Sequence, residues 1–288
     1  MADSRGMTGR IVTGFDKSLE LMDRPEITYR LFFPRREELD EPRPHNGTAH
    51  AIVVAKGISI GCMFYPAGKD GPNILYFHGN GEIAADYDYV APLYKRHDLN
   101  LFVADYRGYG TSDGSPCCSA MIRDAFPLFE GFVAFLRNGG YGGALFVMGR
   151  SLGSAPAIEV AYRYQDRLSG LIVESGFASQ RKQLERLGVI HLFAGIEEVV
   201  GFGNDVKIQQ VHIPTLIIHG EEDEIIPVSE GRALYALSGA ERKRSFLVSD
   251  AGHNDLLERA GADYMRTIVT FTQGCQGEPF PARTMNDA

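Results

Sequence analysis

The stretch Ala144 to Ser154, Ala-Leu-Phe-Val-Met-Gly-Arg-Ser-Leu-Gly-Ser, constrains the fold more than any other part of the chain. Leu145 to Met148 has the length and composition of a buried strand. Ala155 to Tyr162 reads as a helix. Between them, Gly149-Arg150-Ser151-Leu152-Gly153 must make a very tight turn. A side chain two residues before or after the apex would clash, so Gly149 and Gly153 suit the positions they hold. Such a turn keeps its apex in a strained backbone conformation. It lifts the Ser151 hydroxyl off the sheet and aims the Leu152 N–H and the start of the helix dipole at the space in front.

The rest of the chain supplies a sheet for that strand to join. Ala49 to Ala55 and Ile58 to Phe64 are strand-like runs on either side of Lys56-Gly57, a two-residue hairpin signal. Short apolar strands follow at Asn73–Phe77, Leu101–Ala104, Leu171–Val173, Thr215–Ile218 and Phe246–Val248. Helical stretches are expected to about His97, over Ser119–Leu136 and over Asp255–Thr272. Alternation of this kind predicts an α/β fold: a mostly parallel sheet of about eight strands, helices on both faces, and the hairpin as an antiparallel edge. One domain over 49–275 is expected. Residues 1–48 read as an extension packing on the core, with Ile11-Val12-Thr13 as a strand-like patch and a charged, proline-rich loop from Pro34 to Gly47. Residues 177–212 break the alternation and read as a short helical cap above the strand ends, where open sheets form their sites. The tail, 276–288, reads as loose.

Composition narrows the partners. The formal net charge of −8 is offset by no basic stretch, which argues against a nucleic-acid partner. The four cysteines, Cys62, Cys117, Cys118 and Cys275, have no metal-ligand spacing and suit free thiols in a reducing compartment. The polar N-terminus lacks a signal-peptide core, and no run approaches the roughly 20 apolar residues of a membrane helix. A cytoplasmic chain with no integral membrane segment is expected.

A serine hydroxyl needs a base to take its proton, and the base needs an orienting carboxylate. Two strand ends downstream of Ser151 offer them: His219-Gly220-Glu221-Glu222-Asp223-Glu224, then Asp250-Ala251-Gly252-His253. His253 is placed as the base and Asp223 as the acid, favoured over Glu221, Glu222 and Glu224 by its reach past the strand. His219 and His78 read as structural residues of strand-end turns. Attack on a carbonyl creates an oxyanion that needs two N–H donors. One is Leu152; the other falls in the loop after Asn73–Phe77, at Asn80, with Gly79 the near alternative. Tyr106, Tyr109, Phe177 and Phe193 are candidates for an apolar wall around a small-molecule acyl substrate, although aromatics at these spacings more often belong to the core. No metal or organic cofactor is required.

His-Gly-Asn-Gly at 78–81, Asp-Tyr-Arg-Gly-Tyr-Gly at 105–110, Gly-Arg-Ser-Leu-Gly at 149–153, Glu-Ser-Gly-Phe at 174–177, His-Gly-Glu-Glu-Asp at 219–223 and Gly-His at 252–253 follow one another in a familiar order. Over nearly all of 49–275 the chain resembles the alpha/beta-hydrolase superfamily. It is most similar to the branch of serine aminopeptidase-like and alpha/beta-hydrolase domain proteins related to depalmitoylases and lysophospholipases. The resemblance implies Ser151 as nucleophile, Asp223 as acid, His253 as base, and Asn80 and Leu152 as oxyanion donors. The implied reaction is hydrolysis of a carboxylic ester, thioester or amide through an acyl-enzyme. Acyl transfer on the same triad and a non-catalytic ligand-binding role are the alternatives.

Overall fold

In the computed structural model, which describes residues 18–37, 47–194 and 201–275, eight strands make one sheet. They are β1 (Thr48–Ala55), β2 (Ile58–Tyr65), β3 (Asn73–Phe77), β4 (Asn100–Ala104), β5 (Leu145–Arg150), β6 (Gly170–Glu174), β7 (Thr215–Gly220) and β8 (Lys243–Val248). Their order across the sheet is β1-β2-β4-β3-β5-β6-β7-β8. The hairpin β1–β2 and the β2–β4 pair are antiparallel, and every pair from β4 to β8 is parallel. Strands β3, β4, β6 and β7 are buried along their whole length. Their near-continuous apolar sequences suit a sheet covered on both faces.

The helices are α1 (Pro25–Leu31), α2 (Ala91–Lys95), α3 (Cys118–Gly139), α4 (Ser154–Tyr164), α5 (Gln180–Arg186), α6 (Asn204–Ile208), α7 (Val228–Leu237), α8 (Leu256–Ala260) and α9 (Ala262–Gly274). One core layer gathers Phe129 and Phe132 of α3, Ile158 of α4 and Leu234 of α7. The other gathers Tyr94 of α2, Leu256 of α8 and Ile268 and Phe271 of α9. The sheet is therefore sandwiched, as the alternating sequence predicts.

Three elements differ from expectation. The helix anticipated up to His97 is a 3₁₀ turn, Ala84–Asp88, followed by α2; Pro92, in the first turn of α2, has no N–H to continue the earlier turn. The last helix is split into α8 and α9 by Gly261, whose φ of 53° and ψ of −129° fall where glycine alone sits easily. Strand β8 begins at Lys243 rather than Phe246. The expected patch at Ile11-Val12-Thr13, residues 38–46 of the charged loop, Gly195-Ile196 and the tail lie outside the described residues.

The segment before β1 does more than lie on the core. Ile27 of α1 is fully buried. Arg30 Nη1 donates to the Leu187 carbonyl, 157 residues away, at 3.1 Å. Gly201 N–H donates to Ser18 Oγ at 2.8 Å. The insertion is tied to the body by Glu230 of α7, which is buried and accepts the N–H groups of Ala178 (3.1 Å) and Ser179 (2.9 Å) and the Lys182 ammonium. A buried ion pair between Lys207 of α6 and Glu159 of α4 adds a second tie. The roof over the strand ends is thus built jointly by the N-terminal segment and the insertion.

Candidate active site

Ser151 follows β5 directly and opens a 3₁₀ turn, Ser151–Gly153, that leads into α4. Its φ is 53°, a left-handed value that L-residues other than glycine rarely hold without compensation. A Cβ on Gly149 would strike the Gly153 carbonyl and Ala157. One on Gly153 would strike the carbonyls of Phe77 and His78. The two glycines therefore let the turn close and let β3 pass beside it. Ser154 Oγ donates to the Ser151 carbonyl at 2.7 Å and holds the turn from inside.

The loops after β7 and β8 are stitched together. Register pairs Gly220 with Val248. Glu221 N–H then donates to Val248 O at 3.0 Å, and Glu222 N–H to Ala251 O at 2.9 Å. Asp223 Oδ1 accepts the N–H groups of Ile225 (3.0 Å) and Ile226 (2.7 Å), which fixes its carboxylate. Its Oδ2 lies 2.7 Å from His253 Nδ1. His253 Nε2 lies 2.9 Å from Ser151 Oγ. A carboxylate only accepts, so Nδ1 carries the proton and Nε2 faces the serine as an acceptor. All three side chains are buried. Burial alone would raise the Asp223 carboxyl; hydrogen bonds from His219, His253 and the Ile226 amide outweigh it and hold Asp223 well below the usual carboxylate range.

His219 Nε2 is 2.7 Å from the Ile226 carbonyl and 3.3 Å from Asp223 Oδ2. Both neighbours are acceptors, so Nε2 carries the proton and braces the turn that holds Asp223. His78 is structural as well, with Nδ1 2.7 Å from Gly79 O and Nε2 3.2 Å from Asp105 Oδ1. Burial would lower its imidazole, but the Asp105 carboxylate more than compensates and raises it.

The loop after β3 lies beside the elbow because register pairs Phe77 with Gly149. Of the two donors that sequence offers there, Gly79 N–H is taken by Glu82 Oε2 at 2.8 Å. The Asn80 N–H meets no protein acceptor among the described residues. Asn80's side chain faces the roof instead. Its Oδ1 accepts Phe33 N–H (3.0 Å) and Tyr109 O–H (2.7 Å), and its Nδ2 donates to Leu31 O at 2.6 Å. Leu152, the other expected donor, is buried in the 3₁₀ turn next to Ser151.

The four aromatics expected around the mouth are all buried. Tyr106 donates to His78 O at 2.6 Å and Tyr109 to Asn80 Oδ1 at 2.7 Å, so both hydroxyls brace the loop after β3. Tyr29 and Phe33, by contrast, are exposed, as is Tyr89. With Pro25, Thr28, Phe32, Pro34 and Pro116, Tyr29 and Phe33 line an apolar groove of about 610 Å³ along α1.

Residues 70–200 match the family described as serine aminopeptidase, S33. The protein bem46 of Schizosaccharomyces pombe is 30% identical over 85% of this chain and 84% of its own length. The human alpha/beta hydrolase domain-containing protein 17B is 31% identical over 70% of this chain and 67% of its own. This chain belongs to the alpha/beta-hydrolase superfamily. The fold agrees: a Pyrococcus furiosus esterase, Pf2001, superposes with a TM-score of 0.69 at 15% identity, over 86% of this chain and 99% of that one. Among the described residues of this alpha/beta hydrolase, no helix is long and apolar enough to cross a membrane, and no group of His, Cys, Asp and Glu is arranged to hold a metal ion.

Reading the sequence missed the support beneath these residues. Arg150, Glu82 and Glu174 form a charged cluster beside the elbow, with Glu174 buried and the other two half-buried. An arginine inside the five-residue turn was the available signal, since a charge so close to a packed strand end must find partners. Nothing local could have joined Asn80 to residues 31–33.

Proposed function

We propose that this chain hydrolyses a carboxylic ester or thioester through an acyl-enzyme formed on Ser151, an amide being the harder substrate of the same chemistry. The observation that carries the reading is the continuous chain from Ser151 Oγ through His253 to Asp223, at 2.9 and 2.7 Å. In this reading Ser151 attacks the carbonyl carbon while His253 Nε2 takes its proton. The oxyanion is held by the N–H groups of Leu152 and Asn80. Asp223 stabilises the imidazolium and keeps its ring in place. His253 then gives the proton to the departing alcohol or thiol, and water repeats the cycle on the acyl-enzyme.

The groove along α1 starts at Phe33, whose N–H is bonded to the Asn80 side chain. We place the acyl chain there, since an apolar cleft linked to Asn80 by one hydrogen bond suits a hydrocarbon tail. The test is a series of p-nitrophenyl esters and acyl thioesters from two to sixteen carbons. The expected result is turnover with a covalent acyl adduct on Ser151 in intact-mass spectra. Phe33→Ser should lower kcat/KM for the long chains by roughly tenfold and leave acetyl esters nearly unchanged, as removal of apolar contact area requires. Equal loss for all chain lengths would remove the groove from the account, and turnover with no acyl adduct on Ser151 would refute the acyl-enzyme.

A further inference from the structure

Arg150 is the last residue of β5 and stands one position before the serine. Its guanidinium is spent on four partners from three other strand-end loops. Nη1 pairs with Glu82 Oε1, in the loop that carries Asn80. Nε donates to Glu174 Oε1 at 3.1 Å, where register sets β6 directly opposite. Nη2 donates to the backbone carbonyl of His253 at 2.7 Å and to Asn254 Oδ1 at 3.0 Å. The second oxygens of both carboxylates are also engaged. Glu82 Oε2 accepts Gly79 N–H at 2.8 Å and Tyr87 O–H at 2.9 Å, and Glu174 Oε2 accepts Tyr264 O–H.

We infer that Arg150 is a positioning residue that sets the spacing between the base and the oxyanion donors around Ser151. This inference rests on the reading of Ser151 as the nucleophile. Through Glu82 it occupies the Gly79 N–H, which leaves Asn80 as the donor free to face a substrate. Through the His253 carbonyl it fixes the peptide from which the base projects. The planar guanidinium can hold these groups at once because its five N–H bonds diverge in a fixed fork. A lysine ammonium in the same place is a point charge and can satisfy only some of them. The cluster is electrostatically coupled as well. Burial would lower Arg150 and raise Glu82, but each is held in its charged form by the other. Glu174 is raised above the ordinary glutamate value because burial outweighs the help of Arg150 and Tyr264. A cation that needed only a counter-ion would not require four partners spread over three loops.

The test compares wild type, Arg150→Lys and Arg150→Met. It measures the thermal unfolding midpoint, kcat and KM on the best ester, and the rate of Ser151 labelling by a fluorophosphonate. The charge-keeping Arg150→Lys should remain folded, losing about tenfold or more in kcat and labelling rate with KM within about threefold of wild type, since small misplacements of reacting groups fall on the chemical step. Arg150→Met, where it folds, should lose about a hundredfold in kcat. A folded Arg150→Lys with wild-type kcat, or with its loss confined to KM, would overturn the inference while leaving the nucleophile in place. A wild type that neither turns over esters nor takes the label would overturn the reading of Ser151 and this inference with it.

Discussion

The floor and the roof of the site are built on different principles. The floor is the ends of five strands whose positions follow from sheet register: Phe77 beside Gly149, Arg150 beside Glu174 and Gly220 beside Val248. Short motifs on its loops supply the reacting groups, and Arg150 ties three of the other strand ends together. The roof is made of α1 and the insertion, which lie far apart in sequence, Arg30 and Leu187 by 157 residues. It is held by apolar side chains such as Ile27, Leu184 and Phe193 and by polar contacts such as Arg30 to Leu187 and Glu230 to Ala178 and Ser179. Asn80 joins the two, with its backbone on the floor and its side chain in the roof. The difference teaches that chemistry can be fixed by local sequence while the cover over it is specified by distant pairs.

Substitutions should separate the two regions by the size of their effects. The largest belong to the floor. His253→Ala should lower kcat by about 10⁴-fold or more with unfolding little changed, because the serine loses its base. Asp223→Asn should cost about 10³- to 10⁴-fold in kcat, through the wrong imidazole tautomer. It should also change acid stability. Asp223 is depressed in the folded state, so the unfolded chain takes up the proton first as pH falls. Its contribution to stability is full above about pH 4, the ordinary aspartate value, and is lost as pH drops through the lower folded value. Urea unfolding between pH 5 and 2.5 should therefore show a shallower decline for Asp223→Asn than for wild type; parallel curves would mean that Asp223 is not held in this way.

The joint should give an intermediate effect. Asn80→Ala removes the three side-chain bonds to Leu31, Phe33 and Tyr109 but keeps the backbone N–H. A loss of about tenfold in kcat is expected, because the donor loop is loosened rather than deleted. A loss as large as that of His253→Ala would erase the distinction between floor and roof. The smallest effect on catalysis should come from the roof's far anchor. Glu230→Ala leaves two buried N–H groups and Lys182 without their acceptor, at a cost of about 1–3 kcal/mol in stability by urea unfolding. Its kcat on acetyl esters should stay within about twofold of wild type, since the reacting groups do not move.

The same division explains what the sequence allowed. Gly149, Ser151, Gly153, Asp223 and His253 could be picked out because a tight turn and a strand end each need particular residue types at fixed offsets. Sequence favours Asn80 over Gly79, but the reason lies outside the loop. The choice depends on Glu82 accepting the Gly79 N–H, and that carboxylate is set in place by Arg150 from another strand. The buried aromatics left two readings open for a related reason, and their burial agrees with the core one. Tyr106 and Tyr109 have the composition of a pocket wall, but their hydroxyls find His78 and Asn80 and turn them inward. Helix ends were missed where one residue, Pro92 or Gly261, overrode an otherwise continuous pattern.

The central claim is that Ser151 is an activated nucleophile, and labelling with a fluorophosphonate followed by intact-mass analysis tests it most directly. The account predicts one phosphonyl adduct on the wild-type chain, mapped to Ser151 and absent from folded Ser151→Ala. An unlabelled, folded wild type, or an adduct that persists in Ser151→Ala, would contradict it.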